Sequence, residues 1–345
     1  MDNAVSCHME LFPSTRYMGS KRKIVPSIYD VSTQLEFNTA LDLFSGSGVV
    51  SYLFKAMGKL VTSNDYMAMA ATVAKAVVGN SSTTLDEALV QKLLAPCETD
   101  EFVERTFRGL YYTDDENRFI DRIRNNITQL ADEQARSMAM AALIRACVKK
   151  RPRGIFTYTG FRYDDGRRDL KLSFQDQFLE AVAAYNGAVF DNGTACRAVW
   201  GDAFSSELGR DYDLVYLDPP YYTPLSDNEY VRRYHFVEGL ARNWQGVEIQ
   251  QHTKTKKFKS YPTPFSTEQG ACRAFDELFD RYRESILIVS YSSNGLPSKE
   301  DMTALLKNAG KAVEVIPVKH KYSFGNSSTA STRKNEVEEF LFVAV

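Results

Sequence analysis

The sequence contains no long apolar run, few cysteines and few histidines. No apolar stretch approaches the roughly 20 residues that a membrane-spanning helix needs, and the N-terminus lacks the basic-then-apolar pattern of a signal peptide. We therefore expect a cytoplasmic protein without a membrane partner. With 345 residues, 44% of them hydrophobic, the chain can bury a substantial core in one or two domains.

The five cysteines are scattered, odd in number and without a C-x-x-C pair. This spacing argues against a disulfide framework and against a zinc site. The four histidines are also far apart in the sequence. We therefore predict reduced thiols and no bound metal.

Charge of one sign is not in large excess, since the formal net charge is −2. Two loops, at 149–171 and 254–261, are nevertheless rich in basic and aromatic residues. Basic side chains neutralise phosphates and aromatic rings stack on bases, which favours contact with nucleic acid. A solvated surface loop is the alternative for both. The candidate contact residues are Lys149, Lys150, Arg151, Arg153, Arg162, Arg167, Arg168, Lys256 and Lys257.

A short apolar run from Asp213 to Leu217 has the pattern of a buried strand and ends at Asp218-Pro219-Pro220-Tyr221. The prolines donate no ladder hydrogen bonds and force the preceding residues into extended conformations, so the strand must end here. Ligands of open α/β sheets bind at the carboxyl ends of strands. This turn is therefore a candidate site that offers a carboxylate, a carbonyl and an aromatic ring. A simple strand-terminating turn is the alternative.

A second candidate site lies at Gly46-Ser47-Gly48, between a short apolar strand and an amphipathic helix. The next predicted strand ends at Asp65, close to the roughly 20-residue spacing expected of a carboxylate that binds ribose hydroxyls. Ser51 occupies the third glycine position of the full dinucleotide motif. The pattern therefore favours a nucleoside-containing cofactor without a pyrophosphate.

The segment Arg16-Tyr17-Met18-Gly19-Ser20-Lys21 precedes a predicted helix, whereas residues 1–15 show no clear pattern. A Gly-Ser step into a helix leaves backbone N–H groups unpaired, and Lys21 adds a positive charge beside them. Such a site suits a carboxylate or phosphate. A solvated basic helix start is the alternative.

The periodicity divides the chain into two kinds of structure. From 80 to 192 it is helical, and elsewhere strands and helices alternate, which predicts an α/β fold. We expect a catalytic domain formed by 1–79 and 193–345, with 80–192 as a mainly helical inserted domain. The predicted helices of the insert are 85–95, 98–109, 115–130, 132–148 and 173–186. The later strands are 196–204, ending beside Asp202, then 285–290, and an antiparallel pair at 312–319 and 336–344.

The ordered set of motifs resembles the Dam-type DNA N6-adenine methyltransferases. It comprises Arg16-Tyr17-x-Gly19-Ser20-Lys21, then Asp42-Leu-Phe-Ser-Gly46-Ser-Gly48, then Asp218-Pro-Pro-Tyr221. Their order matches the alpha class, in which cofactor motifs come first and the catalytic motif last. The resemblance implies a Rossmann-like methyltransferase sheet, mostly parallel with a C-terminal antiparallel hairpin strand, and a target-recognition domain in the insert. Tyr17 departs from the family, which often has Trp there.

The resemblance also implies S-adenosylmethionine as cofactor and no metal. Asp42 would contact the methionine amino group, Asp65 the ribose and Asp202 the adenine amino group. Lys21 would lie near the methionine carboxylate or near the catalytic turn. The implied cofactor-binding residues are Tyr17, Gly19, Lys21, Asp42, Phe44, Gly46, Gly48, Asp65, Tyr66, Asp202, Ala203 and Phe204.

For catalysis the resemblance implies Asp218, Pro219, Pro220 and Tyr221. Asp218 and the Pro219 carbonyl would accept hydrogen bonds from the amino group of a target adenine, and Tyr221 would stack on the base. The base must leave the duplex, because its amino group is unreachable inside it. Double-stranded DNA is the expected partner. The sequence is compatible with a modification enzyme that has a cognate restriction endonuclease and with a solitary methylase.

Four other functions were weighed. Cytosine C5 methylation requires a cysteine nucleophile after a proline, but Pro96-Cys97 lies at a predicted helix end in the insert. N4-cytosine methylation uses the same amino-group chemistry, usually with Ser in place of Asp218. Methylation of RNA or protein amino groups, and a non-catalytic DNA-binding relic, are the remaining alternatives.

Overall fold

The computed structural model describes residues 1–160, 166–223, 229–318 and 338–345. In these residues seven strands form one sheet. The strands are β1 (Thr39–Asp42), β2 (Leu60–Asp65), β3 (Arg197–Trp200), β4 (Leu214–Leu217), β5 (Ile286–Ser292), β6 (Val313–Val318) and β7 (Glu339–Ala344). The described helices are α1 (Asn3–Leu11), α2 (Val25–Ser32), α3 (Val49–Ala56), α4 (Ala68–Val77), α5 (Glu87–Leu94), α6 (Phe102–Phe107), α7 (Asp114–Thr128), α8 (Glu133–Lys149), α9 (Arg168–Lys171), α10 (Phe174–Gly187), α11 (Tyr230–Ala241), α12 (Glu268–Arg281) and α13 (Lys299–Asn308).

The sheet has the order β3-β2-β1-β4-β5-β7-β6. Strands β1 to β5 pair in parallel, whereas β7 is antiparallel to both β5 and β6. This confirms the predicted α/β fold with a C-terminal antiparallel pair. From β1 the chain extends the sheet first through β2 to β3, and β4 then pairs with the other side of β1 and begins the opposite direction. The carboxyl ends of β1 and β4 therefore flank the point at which ligands of such sheets bind.

Alternate side chains of the central strands contribute to two hydrophobic cores, one on each face of the sheet. On β4, Leu214 and Tyr216 belong to the core formed with α1 to α8, α10 and α11. Val215 and Leu217 belong to the core formed with α12 and α13. Successive residues of a strand point to opposite faces, so an apolar strand of this kind is covered on both sides.

The helical composition predicted for 80–192 is confirmed, since α5 to α10 lie there. This segment packs directly on α4, where Gln134 Nε2 donates to the Lys75 carbonyl at 2.6 Å. Leu85 and Asn186 tie the two ends of the segment together through hydrogen bonds of 2.9 and 2.8 Å. The helices therefore share one continuous core with a face of the sheet.

Helix α1 lies where no pattern was predicted. It begins with Asp2, whose carboxylate accepts a hydrogen bond from Val5 N at 2.8 Å. Only Val5 and Met9 of the helix are buried, so its apolar face is too narrow to give a strong periodic signal. Within the described ranges, no helix has both the length and the apolar character required to cross a membrane.

Candidate active site

The main cleft of the molecule lies at the carboxyl ends of β1, β2 and β4. We call it the main cleft because most of the catalytic and cofactor-binding residues predicted from the sequence line it. It brings together ten residues predicted from the sequence: Tyr17, Gly19, Lys21, Asp42, Phe44, Gly46, Asp65, Tyr66, Asp218 and Pro220. The other lining residues are Met18, Ser20, Ser45, Ser47, Val49, Val50, Tyr216 and Tyr230.

Two further clefts open beside the main cleft, and both share Tyr66 and Pro220 with it. The side cleft contains Asp202, Ala203 and Phe204, so these predicted residues lie next to the main cleft rather than in it. The outer cleft contains Tyr221 and is also lined by a segment that overlaps the predicted basic loop at 254–261. That segment comprises Lys257, Phe258, Lys259, Ser260, Tyr261, Pro262, Thr263, Phe265 and Ser266.

The two glycines after β1 have different places. Gly46 lines the main cleft with φ 51°, and a Cβ atom there would lie 3.0 Å from Tyr17 Cε1. Gly48 precedes α3 with φ 76° and turns the chain into the helix without lining the cleft. Both conformations favour glycine, and at Gly46 the missing side chain also leaves room beside the Tyr17 ring.

Asp42, at the end of β1, accepts hydrogen bonds from the described residues through one of its two carboxylate oxygens. Its Oδ2 accepts from the Ser51 backbone at 3.0 Å and from Ser51 Oγ at 2.6 Å. Its Oδ1 is buried and has no hydrogen-bond partner among the described residues. Burial raises the pKa of Asp42 to about 7, against the opposing effect of Ser51. Buried acceptors usually have a hydrogen-bond donor, so this oxygen is a candidate acceptor for a ligand.

Asp65, at the end of β2, is held by the backbone around it. Its carboxylate accepts from Gly46 N and Met67 N, each at 2.8 Å. Burial raises its pKa to about 7, and the two backbone hydrogen bonds act in the opposite direction. The carboxylate thus links the loop after β1 to the start of α4 and faces the main cleft between them.

The turn after β4 is joined to a network that includes Lys21. Lys21 Nζ lies 2.9 Å from Asp218 Oδ1 and 2.9 Å from Glu339 Oε1, and it also donates to the Tyr221 hydroxyl. The Tyr221 hydroxyl lies 2.8 Å from Asp218 Oδ1 and 2.6 Å from Glu339 Oε1, and it can donate to one of them. Lys21 thus contacts the turn after β4, and it also lines the main cleft.

The two carboxyl groups of this network have different acidities. Burial raises the pKa of Asp218 to about 6; Lys21 acts to lower it, and Glu339 adds to the increase. Burial also acts to raise the pKa of Glu339, but Lys21 and the hydroxyls of Tyr221 and Ser290 hold it below its ordinary value. Glu339 is therefore the firmly ionised member, and Asp218 gains a proton more readily.

Tyr221 does not present an isolated ring to the outer cleft. Its ring packs edge-on against Tyr291, with centroids 4.6 Å apart, and its hydroxyl points into the network with Lys21. Pro219 is buried beside it, and Pro220 lines all three clefts.

Sequence reasoning missed the two tyrosines of α11 that pack on Tyr17. The rings of Tyr230 and Tyr234 stack on it with centroids 5.8 and 5.2 Å away, and Met18 N donates to the Tyr234 hydroxyl at 2.7 Å. Their spacing of four residues places them on one helix face. That spacing is a signal for burial, but it does not reveal which ring they contact.

The expectation for Arg151 is corrected by the structure. Its side chain is only 2% exposed, and its guanidinium donates to the carbonyls of Tyr111, Tyr158 and Gly160. It also lies over the Tyr111 ring, 4.9 Å from the centroid. Arg151 therefore fastens the basic loop to the helical segment, and it is not available to a phosphate.

The other basic candidates differ in their surroundings. Arg153 is exposed, as is the neighbouring Tyr158, and Lys257 lines the outer cleft. Arg167 donates to the Arg151 carbonyl at 3.4 Å, and Arg162 lies outside the described residues. The remaining candidates have polar contacts within the chain: Lys149 with Asp169, Lys150 with Glu116, Arg168 with Glu180 and Lys256 with the Gln251 carbonyl. In the described residues, no three His, Cys, Asp or Glu side chains group closely enough to hold a metal ion.

Comparison with known proteins gives a consistent result. Residues 17–294 match the model of the D12 class N6 adenine-specific DNA methyltransferase family. The chain is 27% identical to the type II methyltransferase M2.HphI of Haemophilus parahaemolyticus, over 96% of this chain and 97% of that protein. It is 28% identical to modification methylase StsI of Streptococcus sanguinis and 23% identical to type II methyltransferase M.FokI of Planomicrobium okeanokoites, over 95% of this chain in both cases. The matches cover 51% and 52% of those two proteins, so the chain spans about half of their length.

Proposed function

The chain belongs to the D12 class of N6 adenine-specific DNA methyltransferases, and from this premise we propose which of its residues carry out the methyl transfer. The single observation that carries the proposal is that Asp218 lies in the same cleft as eight of the twelve predicted cofactor residues. A turn at the end of β4 and three segments far from it in sequence thus converge on one site. The methylation alternatives with other targets are not favoured by the family.

The family's activity implies S-adenosylmethionine as the methyl donor. When bound, it supplies a methyl group attached to a positively charged sulfur, and this sulfur becomes a neutral thioether when the methyl group is transferred. The main cleft fits this molecule on two observations. Asp42 Oδ1 is a buried acceptor without a donor in the described chain, which suits an ammonium group. The absent side chain at Gly46 leaves a cradle beside the Tyr17 ring.

The remaining cofactor contacts follow from the arrangement of the clefts. Asp65 faces the main cleft and is the proposed acceptor for ribose hydroxyls. Asp202 and Phe204 line the side cleft, which shares Phe44 and Tyr66 with the main cleft. We assign the adenine end to this cleft, with Ala203 and Phe204 against the base. Gly19 and Tyr17 would close the opposite side.

The target base is proposed to enter the outer cleft, next to the catalytic turn. Asp218 and the Pro219 carbonyl would accept hydrogen bonds from the N6 amino group, which keeps its lone pair directed at the methyl carbon. Once the amine has accepted the methyl group, it would have one proton to lose. Asp218 is placed to accept that proton before solvent takes it, since burial keeps its pKa near 6.

Tyr221 and Pro220 would contact the base from the side of the sheet, and the segment 257–266 would face it from the other side. Stacking between aromatic and apolar side chains is how flipped bases are held. A Tyr221 ring already fixed by Tyr291 and Lys21 needs little further ordering when the base arrives.

We further propose that 80–192 forms the target-recognition domain on the catalytic domain of 1–79 and 193–345. Its exposed Arg153 and Tyr158 offer a phosphate contact and a stacking surface. The named relatives are type II and modification methyltransferases, which supports a role as the modification enzyme of a restriction–modification system. A cognate endonuclease would then recognise the same DNA sequence.

The function is tested by incubating the protein with duplex DNA and S-adenosylmethionine that carries a labelled methyl group. Digestion of the DNA to deoxynucleosides should place the label in N6-methyl-2′-deoxyadenosine. Label in N4-methyl-2′-deoxycytidine, or DNA binding without incorporation, would overturn the proposal.

A further inference from the structure

Glu339 is a buried carboxylate in an otherwise apolar strand. It is the first residue of β7, whose sequence is Glu-Phe-Leu-Phe-Val-Ala, and its side chain is 0% exposed. Register pairing with Ser292, at the end of β5, places it at the edge of the sheet where the catalytic turn lies. Burying an ionised carboxylate is costly unless it is well paired, so its position calls for a reason.

The contacts of Glu339 are directed at the catalytic turn. Its Oε1 lies 2.9 Å from Lys21 Nζ, 2.6 Å from the Tyr221 hydroxyl and 2.9 Å from Ser290 Oγ, which donates to it. Lys21 and Tyr221 also contact Asp218. Glu339 therefore touches the partners of Asp218, and it does not line any of the three clefts described above.

We propose that Glu339 is a positioning residue for methyl transfer, which holds Lys21 and the Tyr221 hydroxyl so that the Asp218 carboxylate stays available to the target amine. The inference rests on the proposed function of this site. An ammonium group has three N–H donors, and here they are shared among Asp218, Glu339 and Tyr221. If Glu339 were neutral, Asp218 would interact with Lys21 without a second carboxylate beside it.

The consequence is electrostatic as well as geometric. The ionisable groups with the largest effects on Asp218 are Lys21 on the segment before α2, Glu339 on β7 and Tyr221 on the turn itself. Asp218 also acts on Asp42 of the neighbouring strand β1 and on Tyr216 of β4, so the coupling extends to them. Removing the negative charge of Glu339 leaves Lys21 as the largest influence of a charged group on Asp218. The pKa of Asp218 must then fall, since Glu339 acts to raise it.

The test compares wild type, Glu339→Gln and Glu339→Asp in single-turnover methyl transfer to duplex DNA across pH. Glu339→Gln should lower the rate by about tenfold to a hundredfold, because Lys21 competes with the amine for Asp218. Its acid limb should move to lower pH, while the Kd for S-adenosylmethionine stays within about twofold of wild type. Glu339→Asp keeps the charge at a longer distance, so its rate should fall while the acid limb remains at the wild-type pH.

A wild-type rate in both variants would overturn the proposal, as would loss of cofactor affinity in parallel with the rate. An unmoved acid limb in Glu339→Gln would also contradict it. If Glu339→Gln does not fold, the rate and acid limb of Glu339→Asp still decide. Failure of the proposed function is a separate result, because the wild type itself would then transfer no methyl group to adenine.

Discussion

The catalytic edge of the sheet and the basic loop at 149–171 each contain a buried cation, and the two cations do different work. Lys21 is 4% exposed and is balanced by the carboxylates of Asp218 and Glu339. Arg151 is 2% exposed and satisfies backbone carbonyls that the loop would otherwise leave without donors. A buried cation that contacts carboxylates in a cleft favours a role in binding or catalysis. A buried cation that contacts backbone carbonyls favours a role in stabilising the fold.

The largest expected effect lies at the catalytic edge. Asp218→Ala should reduce methyl transfer by about 10³-fold or more, because it removes the acceptor that orients the target amine. The Kd for S-adenosylmethionine, measured by calorimetry, should change little, because Asp42 and Asp65 remain. Loss of cofactor binding in this variant would show that the carboxylate serves the cofactor and not the amine.

The loop side of the comparison is tested by stability. Arg151→Ala should lower the free energy of unfolding by about 2 kcal/mol, because buried carbonyls lose their donors. Urea denaturation measures the change. The matched control is Arg153→Ala, whose side chain is exposed and whose stability should stay within about 0.5 kcal/mol of wild type. Equal stability of the two variants would refute the structural role of Arg151.

The pH dependence of the reaction tests whether Asp218 must be ionised for methyl transfer. The pKa of this carboxyl group is raised to about 6, and its ionised form is the stronger hydrogen-bond acceptor and the form that can take a proton from the amine. Single-turnover rates should therefore be constant above that pH and fall about tenfold for each unit below it. An acid limb near pH 4 would mean that the site is more open to water than this structure indicates.

The smallest effect is expected from the exposed part of the loop. Arg153→Ala should weaken DNA binding a fewfold at low salt and reduce the slope of log affinity against log salt by about one. Fluorescence anisotropy with a labelled duplex gives both quantities. A slope equal to that of wild type would remove Arg153 from the DNA interface.

Sequence reasoning succeeded where the signal is local. The turn Asp218 to Tyr221 ends a strand by proline chemistry, and Gly46 occupies a conformation that favours glycine. Both were identified from neighbouring residues, and the topology then brought them into one cleft. The alternation of strands and helices likewise predicted the parallel sheet and its antiparallel end.

It failed where the signal is long-range. Glu339 contacts Lys21 across almost the whole chain, and nothing near either residue reveals the pairing. Tyr234 could be read as buried but not as stacked on Tyr17. Arg151 belongs to a run of basic residues whose burial depends on the carbonyls around it. A basic residue in a sequence is therefore not always a surface charge, because the fold can bury it against backbone carbonyls.

The most direct measurement of the central claim is modified-base sequencing of genomic DNA from cells that express the wild type or Asp218→Ala. We expect N6-methyladenine at one recurring DNA sequence with the wild type and none with the variant. Methylated cytosine, unmodified DNA with the wild type, or the same adenine mark with Asp218→Ala would contradict it.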